Sequence, residues 1–369
     1  MMKIGILTYH RAENYGALLQ AYAMRTYLQQ LGHEVEFVDY WPKYHSDYFK
    51  IFSLDDFWKS SLKGKVARLG RLVLVGHKLR RRKRVMLQFI HEQLGLPVRP
   101  RLEDRKAVSE LYDAVIYGSD QIWRKQGLGG VDFDDWYFGS DNVRARKKIA
   151  YAGSMGKMTM DAQDDAYVKA QMAHFDRIAV RENSLLKYLE GLGVSSVQVM
   201  DPVFLLTGKQ WEKLCVAPGI KQHYILFYNL LNTKESAAFA KKLSAETGLP
   251  VYEITKRTFL FGRKAHLISD ASVGEFLGLV RGADYVVSNS FHGVAFSILF
   301  EKQFYAVGMG EKADRVVSLL NLVGLRDRCL EATPSGFQPS SVDFGTPKRM
   351  LQSAVEKSYG YLNEALNEG

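Results

Sequence analysis

The chain has 369 residues, 47% of them hydrophobic and 12% aromatic, with a formal charge of +10. That length exceeds one ordinary core, so two domains are expected, and the apolar content excludes a disordered chain. Two cysteines, Cys215 and Cys329, rule out a disulfide framework or a Cys-rich zinc site and fit a reducing cytoplasm, and with no signal peptide or membrane-spanning window a cytoplasmic protein is expected.

In chain order, Lys3 to Thr8 reads as a strand, Tyr15 to Leu31 as a helix ended by Gly32, and Glu34 to Asp39 as a second strand. A basic segment follows: Lys59 to Arg84 holds eleven Lys and Arg and no acid, more than the chain's whole net charge. The rest of the chain is therefore close to neutral. Apolar residues at Leu62, Val66, Leu69, Val73 and Leu79 fall near helical spacing. A basic amphipathic helix suits the anionic inner face of the plasma membrane, so residues 59–84 are expected to make a peripheral contact there. Nucleic acid is not expected, because the remaining chain has no basic balance and no recognised module.

Buried strands are expected again at Asp113–Tyr117, Lys148–Ala152, Arg177–Val180 and Val197–Met200, with helices near Asp161–Phe175 and Asn183–Leu192. The second half repeats the plan, with strands at Tyr224–Tyr228, Val251–Thr255, Tyr285–Ser288 and Phe304–Val307. Helices near Lys234–Thr247, Val273–Arg281, Phe291–Phe300 and Asp314–Leu322 separate them. Strands alternating with helices predict parallel sheets covered on both faces. The expected architecture is α/β, two doubly wound Rossmann-like domains facing a central cleft. The N-terminal domain would span 1–201, with a helical insertion at about 50–100, and the second 202–345. Asp201–Pro202 and the loop around Pro218 mark the boundary, and a C-terminal helix in 346–369 would pack back across the domains.

Ligands of open α/β sheets bind beyond the carboxyl ends of the strands. Ser288-Asn289-Ser290 follows one such strand, and Phe291-His292-Gly293 opens the next helix. An imidazole, hydroxyls and an amide at a helix N-terminus suit a phosphate or carboxylate. The plain alternatives are an N-cap serine and a histidine hydrogen-bonded in the core. Asn14, Tyr15 and Gly16 open the first helix, where glycine permits close approach to a ligand; a capped turn is the competing reading. Asp120, Gln121 and Trp123 follow a strand and suit sugar hydroxyls and a ring face, against a turn with a core tryptophan. Arg181, Arg315 and Arg328 are candidates for anion binding or for ordinary ion pairs. Scattered histidines give no metal-ligand spacing, so no metal is expected, and neither G-x-G-x-x-G nor a Walker loop is present.

N-Y-G-A-L-L-Q-A-Y-A, G-S-D-Q-I-W, I-A-Y-A-G-S-M-G, V-R-E-N-S, D-P-V-F-L-L and S-N-S-F-H-G-V-A-F-S-I occur in that order between about Ile4 and Arg328. Each is weak alone; the ordered series resembles the polysaccharide pyruvyl transferase family. The resemblance implies a fold like that of the GT-B glycosyltransferases. It also implies transfer of the enolpyruvyl carbons of phosphoenolpyruvate (PEP) onto two hydroxyls of a sugar as a ketal, with PEP as co-substrate and no resident cofactor. The acceptor would be carried on a nucleotide, a lipid or a cell-surface glycan. Where relatives often have R-x-H, this chain has Ser290-Phe291-His292, so the arginine contact falls to Arg181 or Arg315.

On that reading His292 is the acid and Asp120 orients or deprotonates the acceptor. Arg181, Arg315, Asn289, Ser290 and Gly293 hold the donor; Asn14, Tyr15, Gly16, Gln121 and Trp123 hold the acceptor. Two other functions compete: a nucleotide-sugar glycosyltransferase of the same fold, and a non-catalytic membrane-associated protein of glycan assembly.

Overall fold

The computed structural model describes the chain apart from residues 50–57, 59–60, 101, 103–106, 126–131, 157, 256–265, 311–312 and 368–369. The first sheet holds β1 (Lys3–Leu7), β2 (Glu34–Phe37), β3 (Val108–Tyr117), β4 (Val143–Gly153), β5 (Arg177–Val180) and β6 (Val197–Gln198). The second holds β7 (Ile225–Asn229), β8 (Val251–Thr255), β9 (His266–Ile268), β10 (Tyr285–Ser288), β11 (Gln303–Val307) and β12 (Cys329–Leu330). The described helices are α1 (Tyr15–Gln30), α2 (Lys43–Tyr48), α3 (Leu62–Leu94), α4 (Ala162–Met172), α5 (Asn183–Gly191) and α6 (Gly208–Glu212). They continue with α7 (Lys234–Thr247), α8 (Val273–Gly282), α9 (Phe291–Leu299), α10 (Asp314–Leu322) and α11 (Gly345–Asn367).

All the sheet pairings are parallel, in the orders β2-β1-β3-β4-β5-β6 and β12-β11-β10-β7-β8-β9. The order reverses between β1 and β3 in the first sheet and between β7 and β10 in the second. Each reversal opens a crevice at the strand carboxyl ends. The expected fold class, two Rossmann-like parallel-sheet domains, is what the chain adopts.

Local signals set these elements. β1 is apolar and almost wholly buried, as a central parallel strand must be. Asn14 caps α1 by accepting from the Gly16 N–H at 3.0 Å, a contact worth about 1 kcal/mol. Gly95, left-handed at φ 69°, ends α3. The largest apolar cluster runs from Leu18 and Leu19 on α1 through Trp211 to Phe276 and Phe296, so the two domains share one core. At their junction Tyr15 stacks on Phe276 with ring centroids 4.5 Å apart and donates to the Ala271 carbonyl at 2.7 Å. α11 returns to the first domain: the Tyr361 hydroxyl donates to the Ala150 carbonyl at 2.8 Å and the Met200 N–H to Ser358 Oγ at 2.9 Å.

Three features depart from expectation. β3 and β4 run longer than the buried strands read from sequence, because their first halves are polar and partly exposed. β9 and β12 are edge strands of three and two residues, too short to carry a periodic signal. The basic helix extends to Leu94, its later turns buried through Met86, Phe89 and Ile90. Its cations are also not all turned outward: Arg81 donates to Glu275 Oε1 at 2.8 Å and pairs with Asp270 at 3.2 Å, and Lys83 lies 3.4 Å from Glu13. Lys59 and the side chains of Leu62, Val66, Arg68, Leu69, Arg71 and Val73 lie outside the described residues.

Candidate functional site

The two crevices face each other, and four strand ends of the first domain meet one helix start of the second. Arg181 follows β5 and is 4% exposed. Its Nη1 donates to Asp201 Oδ2 at 2.5 Å, and its guanidinium lies 4.9 Å from the ring centre of Phe291. Asp201, beyond β6, uses Oδ1 to accept from the Val203 N–H at 3.1 Å. Its Oδ2 also accepts from Ser119 Oγ at 3.2 Å and stands 3.7 Å from Nε2 of His292. Burial works against the Asp201 charge, but His292 and Arg181 outweigh it and hold the carboxyl below its ordinary range. Burial likewise opposes the charge of Arg181, which Glu182 and Asp201 more than offset. Arg181 Nε and Nη2 and His292 Nε2 are buried without a hydrogen-bond partner among the described residues. Such atoms are costly to leave unmatched and point to a ligand.

His292 sits in the first turn of α9, buried at 7% exposure, with no hydrogen bond to its Nε2 among the described residues. Burial lowers its pKa to about 4, with Asp201 and Asp120 opposing and Arg181 and Arg315 reinforcing. The imidazole is therefore neutral near pH 7 in the ligand-free protein. Its ring lies on α1: a Cβ added at Gly16 would stand 2.0 Å from His292 Nδ1. Glycine is required there by contact across the domain boundary, not by an unusual φ.

Glu182, 2% exposed, accepts from the Ser154 hydroxyl through Oε1, while Oε2 has no hydrogen-bond partner among the described residues. Burial raises its pKa against the pull of Arg181 and Arg315. Arg315, on α10, comes from the second domain and makes no hydrogen bond or ion pair among the described residues. Burial, then the neighbouring Arg181, lowers its pKa; a bound anion would relieve both. Asp120 is left-handed at φ 65°, and its Oδ1 accepts from the Gln121 N–H at 2.8 Å. The site thus gathers Asp120, Glu182 and Asp201 around Arg181 and Arg315, with His292 on the facing side.

Other sequence candidates fall differently. Trp123 is fully buried, donates to the Tyr137 carbonyl at 2.8 Å and packs on Phe138 and Phe175; it is a core residue with no face for a sugar. Asn289 accepts from Leu230 and Leu231 N–H at 2.7 and 3.1 Å and donates to Asn229 and Ser236, so its amide ties a loop to β10 rather than awaiting a donor. Ser290 takes the N-cap position without a capping bond, and its backbone N–H donates to Ser288 Oγ at 3.0 Å. Gly293 is a packing glycine, since a Cβ there would stand 2.2 Å from Ser288 Oγ. Arg328 donates to the Ser340 and Ser341 carbonyls at 2.9 and 3.0 Å, anchoring the last loop. Asn14 and Tyr15 line an adjoining crevice, and the Gln121 amide packs against Gly156.

Sequence reading missed Asp201, Ser119, Ser154 and Glu182. Asp201-Pro202 reads as a domain boundary from sequence, and a carboxylate just beyond a two-residue strand carries no separate signal. Glu182 had a clue, an acid directly after a buried strand.

A charged cluster with unmatched buried atoms lies between the two Rossmann-like domains of this α/β protein. A family model of polysaccharide pyruvyl transferases matches residues 14–310, and the chain belongs to that family. Membership implies a transferase of polysaccharide biosynthesis with a polysaccharide acceptor. No curated protein sequence matches. Among solved structures, the calicheamicin glycosyltransferase CalG4 is 12% identical, covering 99% of this chain and 96% of its own, with a TM-score of 0.39. The E. coli heptosyltransferase WaaC with ADP is 14% identical over 97% and 99%, TM-score 0.38. UDP-GlcNAc 2-epimerase from Neisseria meningitidis, bound to UDP-GlcNAc, is 10% identical over 99% and 94%, TM-score 0.45.

Proposed function

We propose that the chain transfers the enolpyruvyl group of PEP onto two hydroxyls of a sugar, with phosphate as the leaving product. The observation that carries this reading is the meeting of His292 with Arg181 and Arg315 around unmatched buried donors. PEP brings a carboxylate and a phosphate, matching two guanidiniums. His292 protonates C3 of PEP, C2 becomes oxocarbenium-like, and one sugar hydroxyl attacks C2. Phosphate leaves, and the second hydroxyl closes the ketal, so one acceptor and one PEP give one ketal and one phosphate.

Free His292 is neutral, so the polyanionic donor raises its pKa and loads the proton as it binds. Arg181 and Arg315 stabilise charge on the departing phosphate, and Asp120 takes the acceptor proton. No resident cofactor takes part. Residues 59–84 add a peripheral contact with anionic lipid through outward cations such as Lys63, Arg80 and Arg84. No described helix is long and apolar enough to cross a membrane.

The test is calorimetric titration with PEP, followed by phosphate release over a panel of sugar acceptors. Binding of PEP, and turnover that drops at least about a hundredfold in His292→Ala, supports the reading. Near-normal turnover in that variant sinks the assigned acid, and nucleotide binding without PEP binding favours a glycosyltransferase.

A further inference from the structure

The two ring nitrogens of His292 have different surroundings. A Cβ added at Gly16 would stand 2.0 Å from Nδ1 and 2.5 Å from both Cγ and Cε1. Equal distances to the two neighbouring atoms, so little longer than the first, put that point over the face of the ring rather than in its plane. Gly16 therefore packs on the imidazole face and does not block Nδ1 in the ring plane. Nδ1 makes no hydrogen bond among the described residues, and it is not enclosed as Nε2 is. Nε2 is buried, likewise without a hydrogen bond, and stands 3.7 Å from Asp201 Oδ2. Asp201 is fixed on every side: the Val203 N–H donates to Oδ1 at 3.1 Å, and Arg181 Nη1 and Ser119 Oγ donate to Oδ2 at 2.5 and 3.2 Å. An ionised carboxylate only accepts, so the nitrogen turned toward it is the one that keeps a proton. The gap of 3.7 Å is too long for a hydrogen bond. Contacts of catalytic groups are often long before substrate binds and tighten around it.

We propose that Asp201 is a positioning residue that holds Nε2–H of His292, which makes Nδ1 the nitrogen that gives its proton to the donor. Delivery from Nδ1 to C3 of PEP rests on the pyruvyl-transfer reading; the orientation of the ring does not. In that step the Nδ1–H bond breaks and the C2–C3 π electrons form a C3–H bond. C2 is left oxocarbenium-like, and the imidazole is left neutral as its Nε2–H tautomer. The charged groups facing the ring are Asp201 and Asp120, which favour its cation, and Arg181 and Arg315, which oppose it. An anionic donor on the two arginines removes that opposition, and the imidazolium then has Asp201 as its counter-ion. Asp201 and His292 come from opposite sides of the cleft, so the acid is oriented only where the two domains meet.

The experiment is NMR of the full chain with isotope-labelled histidine, with and without PEP, beside steady-state rates across pH, in the wild type and Asp201→Asn. The His292 signals are assigned by their loss in His292→Gln. Expected in the wild type is a neutral His292 protonated at Nε2. A neutral Nδ1–H tautomer overturns the proposal, and because it is read in the wild type it needs no variant to fold. In Asp201→Asn with PEP, His292 should lose its proton about one to three pH units lower than in the wild type. Turnover should fall about a hundredfold, with its pH limb displaced in the same direction. A higher KM for PEP with the pH limb unmoved would mean that Asp201 serves only to hold Arg181, and it overturns the proposal. An Nε2–H tautomer and an Asp201-dependent titration, without PEP turnover on any acceptor, leave the orientation standing and remove the pyruvyl reading. PEP turnover by a protein whose His292 is the Nδ1–H tautomer does the reverse.

Discussion

Gly16 and His292 belong to different domains, yet a Cβ on Gly16 would stand 2.0 Å from Nδ1 and 2.5 Å from Cε1 and Cγ of the imidazole. The first helix of one domain thus sets the position of a candidate acid carried by the other. Gly16→Ala should displace the ring and cut turnover about a hundredfold, the scale of a misplacement near 1 Å. In a His292→Ala background the same change should cost little further. Steady-state rates of the two single variants and the double variant check this, and additive losses would refute a shared cause.

The pH dependence of stability has a definite sign. His292 has a folded pKa of about 4 against an ordinary 6.5, and burial lowers His45 to about 3. Between the folded and ordinary values the unfolded chain binds more protons. Stability is therefore full above about pH 6.5 and falls as the pH drops toward 4. The ceiling for His292 is roughly 3 kcal/mol. His292→Gln should flatten this slope and leave the part due to His45. Denaturant unfolding at several pH values measures it; an unchanged slope would mean that His292 titrates normally.

Arg181 and Arg315 should separate in a paired measurement. Arg181→Ala strands Asp201 and Glu182 as buried charges, so a loss of about 3–5 kcal/mol is expected together with weaker PEP binding. Arg315→Ala breaks no ion pair or hydrogen bond among the described residues and should weaken PEP binding with little change in Tm. Thermal melts with and without PEP decide the matter. A large melting loss in Arg315→Ala, or none in Arg181→Ala, would contradict this division.

The proposed membrane contact of residues 59–84 rests on cations facing outward. Lys63, Arg80 and Arg84 are exposed, and each is expected to contribute about 1 kcal/mol to binding an anionic surface. Replacing all three with Glu should abolish sedimentation with phosphatidylglycerol vesicles at low salt while leaving PEP binding intact. Vesicle binding that persists would move the contact elsewhere.

The sequence by itself determined the alternation of strands and helices. Apolar runs, capping residues such as Asn14 and terminal glycines such as Gly95 act within a few residues of where they stand. It also placed His292, Arg181, Asp120 and Gly16 just beyond strand ends, because that position follows from the alternation. Tertiary structure alone decided what they touch. Trp123 turned into the core and the Asn289 amide was used up by a neighbouring loop. Asp201 and Glu182 became site carboxylates, and Arg82 was carried from a basic helix into the second domain's crevice. Those outcomes depend on contacts between residues tens to hundreds of positions apart, and a local pattern carries no record of which distant group will meet it.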